Sequence, residues 1–119
     1  SNHGGRQLDG APSSISSLAD IVQAVRAEDS QIEVWLDSGI RSGQDVLKAM
    51  ELGANGTMIG RAFLYGLGAY GEDGVRRALE LIYNECDISM AFCGHTDINQ
   101  VTDDILVKGT YENLKTHAY

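Results

Sequence analysis

Ile32-Glu33-Val34-Trp35-Leu36-Asp37-Ser38-Gly39-Ile40-Arg41-Ser42-Gly43-Gln44-Asp45 is a short β-rich run that breaks into a glycine turn and reopens as a helix. Val34, Trp35 and Leu36 favour a pleated backbone, and the Asp-Ser-Gly that follows ends it. Ser42, with Asp45 three residues on, resembles a capping box with Asp in place of Glu. Val46, Leu47 and Met50 then fall on one helical face, and Gly53 stands where a C′ glycine closes such a helix. The stretch therefore spells strand, turn, helix.

The same grammar extends to both sides. Ile15, Leu18, Ala19, Val22 and Val25 recur at helical spacing, with Ser13 or Ser14 as the N-cap. Thr57-Met58-Ile59, set between Gly56 and Gly60, predicts a second strand. Ala62 to Tyr70 is apolar and predicts a short helical piece of its own. A longer helix follows on Val75, Ala78, Leu79, Ile82, Tyr83 and Cys86, with Glu72 and Asp73 at its positive end. Residues 94–119 turn polar and read as a wandering tail.

Loop, helix, strand, helix, strand, helix is the pattern of parallel βα units, so the fold class is α/β. Two parallel strands cannot close a sheet or bury both of its faces. The expected architecture is the C-terminal part of a (β/α)8 TIM barrel, about its last two to three βα units, over residues 1–107. Residues 108–119 are then a polar tail. A whole barrel takes about 250 residues, against 119 here, so the missing strands are expected in a longer chain.

Charge and cysteine usage narrow the classes. Nine Lys and Arg against 17 Asp and Glu give a net charge of −8, and the basic residues form no stripe, which argues against nucleic-acid partners. Cys86 and Cys93 lie seven apart in a helical pattern, beyond disulfide reach, and are expected as free buried thiols. Cys93-Gly94-His95 offers too few ligands for a metal site. No apolar run approaches the ~20 residues that span a bilayer.

The opening Ser1-Asn2-His3-Gly4-Gly5-Arg6-Gln7-Leu8-Asp9 carries the chemistry. It sets an imidazole and a guanidinium three residues apart across two glycines. An imidazole with an ordinary pKa of ~6.5 suits proton abstraction near neutral pH, and an Arg fork grips a carboxylate bidentately. The motif begins at residue 1, so the strand that presents it is expected upstream. Two further turns, Asp37-Ser38-Gly39-Ile40-Arg41 and Gly60-Arg61, each place glycine and arginine at a strand end before a helix. Glycine lets backbone amides approach an anion, the helix start adds positive potential, and arginine suits phosphate oxygens. The plain alternative is that each glycine only ends an element, each Arg is solvated and His3 is a surface residue. Their recurrence in consecutive units, downstream of the His/Arg loop, favours the phosphate reading.

Together these three motifs resemble the FMN-dependent α-hydroxy-acid dehydrogenases, a family that includes cytochrome-linked L-lactate dehydrogenase, glycolate oxidase, lactate oxidase and mandelate dehydrogenase. The resemblance runs from residue 1 to about residue 107, and Met90-Ala91-Phe92-Cys93-Gly94 looks closest to bacterial L-lactate dehydrogenases. It implies FMN as cofactor and a small L-2-hydroxy acid, L-lactate first, as substrate. It also implies His3 as the base, Arg6 on the substrate carboxylate and Ser1 against the flavin. Asp37, Ser38, Gly39, Ile40 and Arg41 would wrap the ribityl phosphate, with Gly60 and Arg61 as a second clamp. Ser38 stands where some members have glycine. The family's substrate tyrosines, the aspartate that orients the base and the lysine near flavin N1 would lie upstream, so the 119-residue chain alone is expected to be inactive. The acceptor (cytochrome, quinone or oxygen) and the choice between hydride and carbanion chemistry stay open. Tetramers or larger and a cytoplasmic location, with the inner face of a membrane as the other option, follow from the resemblance alone. Other readings are a glycolate-type oxidase, a different flavin or phosphate-binding barrel such as a type 2 isopentenyl-diphosphate isomerase, and a non-catalytic fragment.

Overall fold

The computed structural model describes residues 2–28 and 31–107. The polar tail assigned to residues 108–119 lies outside the described residues, as does Ser1. A 3-10 turn at His3–Arg6 leads into α1 (Ser14–Glu28), β1 (Trp35–Leu36), α2 (Gly43–Glu51), β2 (Gly56–Thr57) and α3 (Arg61–Phe92). β1 and β2 pair in parallel with Trp35 opposite Gly56 and Leu36 opposite Thr57. Both strands are shorter than the sequence predicts. Hydrogen bonds continue the pairing one step each way, from Asn55 N to Val34 O (2.7 Å) and from Met58 N to Leu36 O (2.9 Å). Among the described residues Ile32 and Ile59 have no strand partner, and pairing is what sustains a strand.

The predicted caps are in place. Ser13 Oγ accepts the Ser16 amide at 3.2 Å at the head of α1. At α2 the Ser42 side chain accepts from Asp45 N while the Asp45 carboxylate accepts from Ser42 N, a complete capping box. Gly53, at φ +95°, ends α2 in the left-handed region.

The core lies between α1, the inner face of the sheet and α2, built on Leu18, Leu36, Ile40, Ala49 and Ala54 with Ile15, Val22, Val34, Val46, Leu52 and Ile59 around it. Successive strand residues face opposite sides. Leu36 points into this core, and Trp35 lies over Gly56 on the other face, where it is half exposed. Arg26, at the end of α1, ties the lower edge by donating to Ile32 O (2.6 Å) and to Asn55 Oδ1 (2.9 Å).

α3 is two helices rather than one. Tyr70 (φ −142°, ψ 22°) and Gly71 (φ 60°, ψ −136°) leave the helical region, so residues 61–69 and 72–92 form separate limbs. This agrees with the separate helical piece expected from Ala62 to Tyr70. The stripe expected on the long limb holds only in part. Val75, Ala78 and Ile82 are half-buried and Cys86 is buried, but Leu79 and Tyr83 are exposed. Where the limb meets α2, Gly43 rests on the backbone of Ile82, Glu85 and Cys86, while Leu79 and Tyr83 stay exposed. Cys86 is buried as expected, whereas Cys93 is exposed; both are free thiols.

The stretch after α3 is more ordered than a wandering tail. Two 3-10 turns follow, Ile98–Gln100 and Asp103–Ile105, and the first packs against α2. His95 Nε2 meets Asp104 Oδ1 at 3.2 Å, and Thr102 donates to the same oxygen, which with the His95 contact holds Asp104 below the ordinary carboxylate range. Among the described residues, no helix is long and apolar enough to cross a membrane.

Candidate active site

Because β1 and β2 run parallel and in register, the segments leaving their carboxyl ends emerge side by side. Asp37 to Ser42 leaves β1, and Met58 to Arg61 leaves β2. The opening segment is bonded to the same end. Asn2 N donates to Ser38 Oγ at 2.9 Å, and Ser14 Oγ, at the head of α1, donates to Ser38 O at 3.2 Å. The turn bearing His3 and Arg6 is thus anchored beside the Asp37–Arg41 loop, and Gly60 and Arg61 lie one strand away.

Ser38 is the pivot of this arrangement. It has φ +85° and is the one non-glycine residue with positive φ among the described residues. The left-handed region costs an L-residue roughly 1–2 kcal/mol. Three hydrogen bonds offset that cost: its amide to Asp37 Oδ1 at 2.7 Å, its hydroxyl from Asn2 and its carbonyl from Ser14. Glycine at this position would remove the strain but also the hydroxyl that holds Asn2. Gly39 follows at φ +85° with open space around it.

The two glycine–arginine corners differ in electrostatics. At the first, Arg41 N and Ser42 N both donate to Asp45 Oδ2 (3.0 and 3.1 Å), Asp45 N donates to Ser42 Oγ (3.3 Å), and Gly43 N donates to Glu85 Oε2 (3.0 Å). The positive helix start expected there is already satisfied by two carboxylates of the chain itself, so what this corner still presents is the Gly39 backbone and the exposed Arg41 side chain. Ile40 contributes no side chain to a ligand, since it is 6% exposed and belongs to the core. At the second corner Gly60 opens the 61–69 limb with no side-chain cap, and nothing lies within 4 Å of where a Cβ at Gly60 would stand. The first amides of a helix have no partner within it, so this start is the open one.

Sequence reasoning did not foresee the contacts that Asn2, Ser14 and Glu85 make to the loop and the head of α2. The Glu85–Gly43 bond spans 42 residues, and no local pattern announces such a pairing. A concavity of about 360 Å³ opens along the free edge of β1, lined by Asn2, Gly4, Ser14, Ile21, Trp35 and Asp37 among others. Among the described residues, no group of three or more His, Cys, Asp or Glu side chains is placed to hold a metal ion.

The family model described as FMN-dependent dehydrogenase matches residues 1–108. A peroxisomal (S)-2-hydroxyacid oxidase of Arabidopsis thaliana is 49% identical over 102 residues, covering 86% of this chain and 27% of the oxidase. An L-lactate oxidase of Lysinibacillus sphaericus is 48% identical over 115 residues, covering 97% of this chain and 29% of that protein. Among solved structures, a mutant flavocytochrome b2 superimposes with a TM-score of 0.84 at 40% identity, over 100% of this chain and 31% of its own. The chain therefore spans less than a third of the length of these relatives. Its motifs, their common placement at one end of a parallel sheet and the match along residues 1–108 agree, and the chain belongs to the FMN-dependent dehydrogenase family.

Proposed function

We propose that the whole protein oxidises a small L-2-hydroxy acid, L-lactate before others, to the 2-oxo acid with FMN bound, and that this chain supplies the last two to three βα units of its (β/α)8 barrel. The observation that carries the reading is the Asn2 amide on Ser38 Oγ, which sets the His3/Arg6 turn at the sheet end shared by both glycine–arginine corners. Relatives named for 2-hydroxy-acid and L-lactate oxidation support the substrate class.

The residues fit a phosphate group. Gly39 and Gly60 have open space where a side chain would stand, the helix start at Arg61 carries no cap, and Arg41 and Arg61 are exposed. In this reading Gly39, Arg41, Gly60 and Arg61 hold the phosphate end, with the backbone of Asp37, Ser38 and Ile40 along the ribityl chain and Ser1 against the flavin. FMN, when bound, accepts the two electrons taken from the substrate. Arg6 pairs with the substrate carboxylate and fixes the α-carbon, a positioning role. His3, as neutral imidazole, takes one of the two protons the hydroxy acid loses. The protein is proposed to act in the cytoplasm as a homo-oligomer. A second reading, with oxygen as the acceptor, is favoured by the L-lactate oxidase that aligns over 97% of the chain.

Anaerobic mixing of the full-length enzyme with L-lactate is expected to bleach its yellow flavin, and a flavin left oxidised by both L-lactate and glycolate overturns the reading. His3→Gln in that enzyme should lower kcat by about 10²–10⁴-fold with flavin still bound. Loss of flavin instead would move His3 from the proton step to cofactor packing. The 119-residue chain alone is expected to support no flavin reduction.

A further inference from the structure

We propose that Glu85 is a positioning residue for the phosphate-binding loop, acting through Gly43 to hold Gly39–Arg41 in place at the strand ends. The inference rests on the reading of that loop as a phosphate site. Its basis is a contact between two helices. Glu85, far along α3, accepts the first amide of α2 at 3.0 Å across 42 residues of sequence. Gly43 itself is buried, and a Cβ there would strike the backbone of Ile82, Glu85 and Cys86. The head of α2 therefore rests directly on the α3 backbone, with Cys86 buried beside it and Leu47 buried one turn further along.

The loop and the head of α2 are tied into one hydrogen-bonded unit. Asp45 accepts from both Arg41 N and Ser42 N, and Ser42 Oγ accepts from Asp45 N. Arg41 is thus locked to the first turn of α2 by local bonds, and that turn is locked to α3 by Glu85. A shift of α2 along α3 would carry Arg41 with it, away from the Gly60–Arg61 corner. A simple cap would need only local acceptors, which Ser42 and Asp45 already supply. The carboxylate from the 72–92 limb adds placement relative to the other corner, whose 61–69 limb packs against it backbone to backbone at Gly66 and Gly74. A negative charge near a phosphate site opposes anion binding, so its charge alone gives Glu85 no benefit there. Its use is the hydrogen bond.

The test is FMN affinity of the full-length apoenzyme, read by quenching of flavin fluorescence, for wild type, Glu85→Gln, Glu85→Asp, Glu85→Met and Arg41→Met. Glutamine keeps an acceptor oxygen at the same reach and should bind FMN within about twofold of wild type. Methionine keeps the length without the acceptor and should weaken FMN about tenfold. Aspartate keeps the charge but shortens the reach, and should weaken FMN several-fold. Glu85→Asp alone decides the matter where Glu85→Met does not fold. FMN affinity unchanged in Glu85→Met or Glu85→Asp, with lowered melting temperature only, would reduce Glu85 to a helix cap and overturn the proposal. A tenfold change in Glu85→Gln would overturn it too, by showing that charge rather than placement matters. Arg41→Met separates the two layers. If it binds FMN like wild type, the phosphate reading of the loop fails. If it binds weakly while the Glu85 variants do not, only the role of Glu85 fails.

Discussion

The corners after β1 and β2 share one sequence recipe, glycine and arginine at a strand end before a helix, yet they end in opposite electrostatic states. After β1 the helix start is largely closed, with the Ser42 amide on Asp45, the Gly43 amide on Glu85 and the Asp45 amide on Ser42. After β2 the start at Gly60–Arg61 is open. A helix N-terminus attracts an anion only if its amides are unclaimed. The recipe identifies where a phosphate could lie, and the side chains around each corner decide which helix serves it. In the proposed phosphate reading the first corner would supply shape and a guanidinium, and the second uncapped amides and a guanidinium.

The comparison breaks most severely at Gly43. Gly43→Ala drives a methyl into the Cys86 backbone nitrogen, and the closed corner is expected to lose more than about 4 kcal/mol, measurable by urea denaturation of the full-length protein. Gly60→Ala meets nothing within 4 Å and should leave the melting point nearly unchanged. Next in size is cofactor affinity. Arg61→Met, at the open start, should weaken FMN by about 10–100-fold, the worth of a lost charge-assisted hydrogen bond. Arg41→Met should cost about tenfold, the low end of that range, because in the proposed reading the uncapped helix start lies at the other corner; the reverse order in FMN titrations would overturn the contrast.

Ser38 sharpens it further. Ser38→Ala keeps the positive φ of +85° and loses the Asn2 acceptor, so stability should fall by about 1–2 kcal/mol. Ser38→Gly relieves strain while losing the same bond and should sit near wild type. Thermal melts of the two variants side by side check the balance.

The smallest effect is at the other end of α2. Its head is satisfied by acids, whereas its tail bears Glu51, whose Oε2 is buried with no hydrogen-bond partner among the described residues. Burial, reinforced by Asp103, raises the Glu51 carboxyl above its ordinary value. A carboxyl raised in the folded state binds its proton more tightly there than in the unfolded chain. Stability then falls as pH rises from the unfolded pKa through the folded one. Glu51→Gln should therefore raise the melting temperature slightly at pH 7, with the gain vanishing below the ordinary carboxylate range. A gain that persists at low pH would assign the effect to something other than ionisation.

Much of this was legible in the residues. Local signals carry local structure: Ser42 and Asp45 announced the capping box, Gly53 the end of α2, and the apolar spacing each helix. The break at Tyr70–Gly71 agrees with the separate helical piece read from Ala62 to Tyr70. The strands came out shorter than read, because strand extent depends on a partner rather than on propensity. The stripe with Leu79 and Tyr83 was too wide, because the width of a buried face depends on what packs against it. The turn carrying His3 was recognisable as a motif, but its anchorage through Asn2 on Ser38 was not.

The order of elements, the parallel βα pattern and the identity of the polar groups at the strand ends follow from the residues alone, since these depend on side-chain chemistry within a few residues of one another. Packing in three dimensions sets which helix start is capped and which is not, turns Ile40 into the core, and brings Glu85 to Gly43 across 42 residues. The reason is physical. A hydrogen bond or a buried contact between distant segments is set by where whole elements pack, and packing is a property of the surfaces that meet rather than of either stretch alone.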